Sequence, residues 1–232
     1  PVPAQLEQEL VEQLTLTKEA LPGGLASLAS MSGRDGEFVL AGQDDSGKPV
    51  LGVLDAQGAF EALALPEDVL SVDAVCRTGE GAAALAFTEA GACILSYSGG
   101  EPSRVELAAE AADHLYGELG LAVRDGNYYV MYYMGIVEFG PDGQAARSCM
   151  GEEKWSYFTS MQEADGRIYV AMGDGMAGGG TLCELDTENM ALVTADTGEL
   201  GVTVLGLSAE GGLLLSGELE GRDVVAEPGE GG

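Results

Sequence analysis

Asp73 and Glu118 are the side chains of this 232-residue chain whose type and spacing point most directly to bond-breaking chemistry. Each stands eight residues before a glycine that follows an acidic residue or an acidic turn position, Gly81 and Gly126. Two carboxyl groups facing one cavity can act as proton donor and as base or nucleophile, the arrangement that hydrolyses glycosidic bonds. A second constellation is aromatic. The single tryptophan, Trp155, and the single histidine, His114, fall near Tyr116, Tyr132 and Tyr157. Aromatic faces with polar groups beside them suit sugar rings or cationic ligands. Other catalytic signatures are missing. There is no G-x-S-x-G and no H-E-x-x-H, and the glycine-rich run 173–180 lacks G-x-x-x-x-G-K-[ST]. Asp44, Asp45 and Asp174 do not belong to a D-x-D-x-D-G calcium loop, so they read as solvated loop charges. No cofactor or metal is expected.

A repeat must position these residues. Asp35-Gly36, Glu80-Gly81, Asp125-Gly126, Asp165-Gly166 and Glu210-Gly211 each precede a β-type run, with the glycines 45, 45, 40 and 45 residues apart. An acidic-Gly pair between apolar runs is a tight hairpin turn, because glycine takes positive φ without a Cβ clash. Four residues after the glycines stand Leu40, Leu85, Val130, Val170 and Leu215. Five before them stand Met31, Cys76, Leu121 and Met161, and Leu207 joins if the last turn is one residue shorter. The intervening Val39, Ala84, Tyr129, Tyr169 and Leu214 are apolar too, so these strands are buried on both faces.

A period of ~40–45 residues is that of a four-stranded propeller blade. The expected fold is all-β, a single β-propeller of about five four-stranded blades. Each unit reads as inner strand, acidic-Gly turn, second strand, loop, third strand, second turn, outer strand. The third strands end near Leu54, Tyr97, Phe139 and Leu185, and a helical turn is expected within 106–114. The fifth unit has a third strand near Arg222 to Ala226 but no outer strand after it. An N-terminal strand, Leu14-Thr15-Leu16-Thr17, is expected to supply it, closing the ring and removing an open edge. Residues 1–13 form an acidic lead-in, 14–227 the propeller and 228–232 a linker-like tail. That tail and the starting Pro1 suggest a mature protein or a piece of a longer polypeptide.

In such a ring, the loops leading into inner strands and those joining second to third strands share one face. His114, Tyr116, Tyr132, Trp155 and Tyr157 would gather there, on the third and fourth units. Asp73 and Glu118 would share one inner-strand column, whose other members, Leu28, Phe158 and Val204, are apolar. Cys76 and Cys93 would lie one strand apart, ~10 Å against the ~7 Å that a disulfide tolerates. Cys149 and Cys183 fall in different units. Four free thiols are therefore expected, which suits the cytosol or an anaerobic exterior.

Ten basic against 39 acidic residues give a formal charge of −29. Such a surface repels phosphate backbones and anionic lipid headgroups, which argues against nucleic-acid or membrane-surface partners. No apolar run approaches the ~20 residues of a spanning helix. Cationic solutes, neutral sugars and basic protein surfaces remain as partners.

Leu54-Asp55-Ala56-Gln57-Gly58 and Asp165-Gly166-Arg167-Ile168-Tyr169-Val170-Ala171 resemble the bacterial β-propeller repeat, from about residue 14 to 227. The acidic, lysine-poor composition is similar to that of propeller segments attached to secreted solute-binding lipoproteins of anaerobic Gram-positive bacteria. The resemblance implies an extracellular ligand- or protein-binding module of a bacterial surface protein, non-catalytic, taking a small neutral or cationic solute, a glycan or a protein surface. Two other readings stand beside it. One is a glycoside hydrolase using Asp73 and Glu118; the other is a purely structural interaction domain, and a cytoplasmic location is the alternative to the surface.

Overall fold

In the computed structural model the described residues are 21–34, 36–99, 101–151, 156–174, 180–197, 200–207, 212–219 and 222–227. They form a five-blade β-propeller. Blade one comprises β1 (Ser27–Arg34), β2 (Glu37–Gln43), β3 (Pro49–Leu54) and β4 (Phe60–Ala62). Blade two comprises β5 (Val69–Arg77), β6 (Ala82–Thr88), β7 (Gly91–Tyr97) and β8 (Ser103–Glu106). The short helix α1 (Ala109–Ala112) leads into blade three, β9 (Gly120–Arg124), β10 (Asn127–Tyr132), β11 (Gly135–Phe139) and β12 (Ala145–Met150). Blade four comprises β13 (Ser156–Ala164), β14 (Arg167–Asp174), β15 (Gly180–Asp186) and β16 (Ala191–Thr194). In blade five the described strands are β17 (Gly201–Leu207), β18 (Leu213–Leu219) and β19 (Arg222–Ala226). Every pairing within a blade is antiparallel between sequence neighbours. The expected closing strand, Leu14 to Thr17, lies outside the described residues.

The acidic-Gly turns behave as their chemistry demands. Asp125 and Gly126 take φ of 52° and 80°, and Asp165 and Gly166 take 51° and 71°. Two consecutive positive φ values give the hairpin turn whose twist matches the flanking strands. The turns between third and outer strands are closed by aspartates. Asp55 Oδ1 accepts from the backbone N–H groups of Gln57 (2.9 Å) and Ala59 (2.8 Å), and Asp186 Oδ1 does the same for Glu188 and Asn189.

Two turns shift the register that the sequence suggests. In blade two, Thr78 donates its N–H to the Gly81 carbonyl (2.9 Å), so the turn is Gly79-Glu80 rather than Glu80-Gly81. In blade five, Leu207 pairs with Leu213 across five residues, where Gly33 pairs with Phe38 across four, so the last turn is longer, not shorter. The equivalent inner positions are therefore Met31, Val75, Leu121, Met161 and Leu205, opposite Leu40, Ala84, Val130, Val170 and Leu215. Cys76 and Leu207 do not belong to this column. Cys76 packs instead with Leu121 and Val130 between blades two and three.

The core lies between blades. One cluster joins blades one and two through Val39, Leu51, Ala84 and Leu95. Further clusters join two to three, three to four and four to five. The inner strands β1, β5, β9, β13 and β17 touch in order around the axis, and β17 returns to β1. Facing hydroxyls satisfy inner-strand N–H groups that no ladder serves. Ser30 Oγ accepts from Val75 N–H (3.1 Å), Ser32 Oγ from Arg77 N–H (3.0 Å) and Ser160 Oγ from Leu205 N–H (3.2 Å). All four cysteines are buried free thiols. Burial pushes the Cys76 thiol up to about 12 and that of Cys93 to about 11, which leaves both unreactive as nucleophiles.

Candidate functional site

The five inner strands enclose a central cavity of about 600 Å³. Its waist is the apolar belt Met31, Val75, Leu121, Met161 and Leu205. The inner strands begin at its upper end and finish at its lower end, and the two ends differ.

At the lower end, side chains reach across the axis. Gln162 of blade four donates Nε2–H to the Met31 carbonyl of blade one (3.2 Å). The Arg34 guanidinium of blade one lies 3.9 Å from the Glu163 carboxylate of blade four. Blades one and four are not neighbours in the ring, so these contacts tie opposite walls. Burial raises the Glu163 carboxyl above its usual range, while the positive charges of Arg34 and Arg124 oppose the shift.

At the upper end stands a ladder of tyrosines. Tyr133 and Tyr157 stack with ring centres 5.5 Å apart and planes 11° apart. Tyr116 continues the ladder at 6.3 Å from Tyr133, and Tyr132 meets Tyr116 edge-on at 6.4 Å. The backbone fixes this arrangement. Tyr133 N–H donates to the Tyr116 carbonyl (3.1 Å), and Phe158 N–H donates to the Tyr133 carbonyl (3.0 Å), joining blade three to blade four. Two glycines leave room for the rings. A Cβ on Gly117, whose φ is 83°, would stand 2.9 Å from Tyr133 Cβ; a Cβ on Gly173 would stand 2.6 Å from Tyr157 Cζ. Tyr157 lines the cavity, and the ladder runs outward from it through Tyr133 and Tyr116, which are 40% and 54% exposed. Exposed aromatic surface beside a cavity of this size is the usual form of a small-ligand site.

The sequence-predicted residues distribute as follows. Tyr116, Tyr132 and Tyr157 come together, through Tyr133, which joins the first and last of them. Tyr132 is buried in the core between blades two and three, and burial raises its hydroxyl pKa. His114 is exposed and lines a different hollow of about 300 Å³ with Ala111, Tyr132 and Arg147. Trp155 lies outside the described residues, as do residues 175–179 of the glycine-rich run.

Asp73 and Glu118 do not share a column. With the blade-two turn corrected, Glu118 is equivalent to Leu28, Val72, Phe158 and Val202, and Asp73 to Ala29, Thr159 and Thr203. Asp73 sits at a β-bulge between Val72 and Ala74, and β1, β13 and β17 carry bulges at the matching place. There Thr159 and Thr203 donate their hydroxyls to the carbonyls of Ala171 and Ser216. Asp73 has no proton to give when ionised; it accepts from the Ser71 hydroxyl at 3.2 Å, and burial raises its carboxyl pKa. Glu118 is exposed and lines the cavity. Asp44 is held by its own loop, accepting from the Ser46 N–H and hydroxyl and from Lys48 N–H. Among the described residues no three His, Cys, Asp or Glu side chains gather as metal ligands.

One polar cluster was not legible beforehand. The buried Glu138 accepts from Asn127 Nδ2 (2.9 Å), the Tyr129 hydroxyl (3.3 Å) and Arg147 Nε (2.6 Å). Arg147 then donates to the carbonyls of Thr187 and Glu188 in the neighbouring blade. Every partner is satisfied, so the cluster reads as an inter-blade clamp.

No protein-family model matches the chain, and no curated protein does. Among solved structures it is similar to a protein of unknown function from Bacteroides caccae, with 19% identity, a TM-score of 0.58, and coverage of 85% of this chain and 72% of that one. It is also similar to the hydrazine synthase of Kuenenia stuttgartiensis, with 11% identity, a TM-score of 0.53, and coverage of 88% of this chain and 58% of that one. A thermostable family-43 glycoside hydrolase aligns at 9% identity with a TM-score of 0.48 over 92% of this chain and 98% of that one. At such identities the likeness speaks for the fold alone. No helix among the described residues is long and apolar enough to cross a membrane.

Proposed function

We propose that this propeller is a non-catalytic ligand-binding module whose site is the upper mouth of the channel. The observation that carries the reading is the Tyr116–Tyr133–Tyr157 ladder, whose last ring lines a cavity of about 600 Å³. Exposed rings held at fixed spacing by backbone bonds are preorganised, so a ligand that packs on them loses little affinity to ordering the protein. Neutral sugars and cationic solutes both fit the chemistry, and a basic protein surface fits the overall charge of −29. We read the module as one carried on a bacterial surface, a location that the resemblance to propeller segments of secreted bacterial lipoproteins supports.

Screening a glycan and small-solute panel against the parent and against Tyr133→Ala, Tyr157→Ala and Trp155→Ala tests the assignment. Ligands of the parent should lose affinity about tenfold or more in the Tyr133 and Tyr157 variants. Unchanged affinity in all three variants places the site elsewhere. The glycosidase reading rests now on Glu118 at the cavity wall and on the raised Asp73 carboxyl. It requires that Asp73→Asn and Glu118→Gln each abolish hydrolysis of a glycoside that the parent cleaves.

A further inference from the structure

We infer that the ligand of the upper mouth is an organic monocation, an ammonium with an apolar body, and that Glu118 is its counter-charge. This rests on the mouth being the ligand site. Among the described residues lining the cavity, Glu118 is the only charged one, and it is an acid. The remaining lining is apolar, hydroxyl or amide: Leu28, Val204, Thr159 and the thioethers Met31 and Met161. A cavity that takes an anion needs a cationic or N–H-rich wall, and the described lining residues include no arginine or lysine. A fully neutral polar ligand, such as a sugar, needs several converging donors and acceptors, whereas the hydroxyls of Ser30, Thr159, Ser160 and Thr203 and the Gln162 amide are already bonded to backbone groups.

Position supports the pairing. Glu118 follows Gly117, whose backbone lies against Tyr133, the central ring of the ladder. Tyr116 on its other side is the outermost ring, and Tyr157 is the ring that reaches the cavity. Glu118 and Tyr157 thus line one chamber with an apolar waist, a carboxylate and an aromatic ring on the same cavity wall. Ring faces attract cations, and quaternary ammonium groups are a functional class of ligand that aromatic sites recognise. The field of a chain carrying −29 adds steering, since it concentrates cations at any concave surface.

The test is a calorimetric titration of the full chain with choline and, in parallel, with 3,3-dimethyl-1-butanol, its uncharged isostere. Choline should bind about tenfold or more tighter than the alcohol, and Glu118→Gln should remove most of that difference while the alcohol's affinity stays the same. Tyr133→Leu should weaken both. Equal binding of the two probes, or no choline binding at about 10 mM, overturns the cation assignment. If instead a neutral glycan binds and Tyr133→Ala weakens it, the cation inference falls and the mouth survives. If choline binds with Tyr133→Leu and Glu118→Gln both without effect, the mouth itself is wrong. Far-ultraviolet circular dichroism and urea midpoints separate loss of binding from loss of fold.

Discussion

The two ends of the channel are made by the same five strands, yet they are finished differently. At the lower end Gln162 and Glu163 reach from blade four to Met31 and Arg34 in blade one. Their polar groups are spent on the protein. At the upper end the tyrosines are held by backbone hydrogen bonds and by one another, and Tyr116 and Tyr133 remain partly exposed to solvent. The difference shows how a repeat acquires a direction. The blades supply an equivalent frame, and the loops and strand ends decide which end is bridged by side chains and which carries the partly exposed rings. The largest expected effects therefore belong to changes that disturb the upper frame, and the smallest to changes in the lower ties.

Gly117→Ala should be the most disruptive. It puts a Cβ at a φ of 83° and 2.9 Å from Tyr133 Cβ. A loss of about 1–3 kcal/mol in urea unfolding is expected, together with loss of mouth ligands. Tyr133→Ala removes the central ring without straining the backbone. It should cost about tenfold in ligand affinity with a smaller change in stability.

The lower end answers to pH instead. Burial holds the Glu163 carboxyl above the ordinary range, and Asp73 likewise. A carboxyl whose folded value is raised binds its proton more tightly in the folded state. Its contribution is fully present below the unfolded value of ~4 and is lost as pH rises through the raised folded value. Asp44 and Asp186, lowered by the hydrogen bonds they accept, act in the opposite sense, and their contribution is lost as pH falls. Glu163→Gln should flatten the decline of stability above pH ~4 in a urea series, leaving ligand affinity at the mouth unchanged. Gln162→Ala should be milder still, about 1 kcal/mol or less, since it gives up one partly exposed hydrogen bond.

Much of the frame was readable because Asp-Gly dictates its own turn. Asp125-Gly126 and Asp165-Gly166 fix both the hairpins and the strand phase on either side. The phase failed where the signal had a competitor. Thr78-Gly79-Glu80-Gly81 contains two glycines that could close the turn, and the hydrogen bond from Thr78 to Gly81 selects the earlier one. That shift of one residue moved Cys76 out of the channel column and put Asp73 and Glu118 in unlike positions. In Tyr132-Tyr133-Met134 consecutive side chains point opposite ways, so which tyrosine serves the mouth depends on where β10 ends. The structure ends it at Tyr132, sending that ring into the core and leaving Tyr133 to the ladder. The clamp of Glu138 and Arg147 escaped notice because its two halves join different strands and a neighbouring blade's turn, a coincidence of space that no spacing encodes.

One titration tests the central claim most directly: a ligand of the parent measured side by side against Tyr133→Ala at the upper end and Gln162→Ala at the lower. Affinity should fall about tenfold in the first and stay at the parental value in the second. Parental affinity in Tyr133→Ala, or a loss confined to Gln162→Ala, contradicts the assignment of the upper mouth as the binding site.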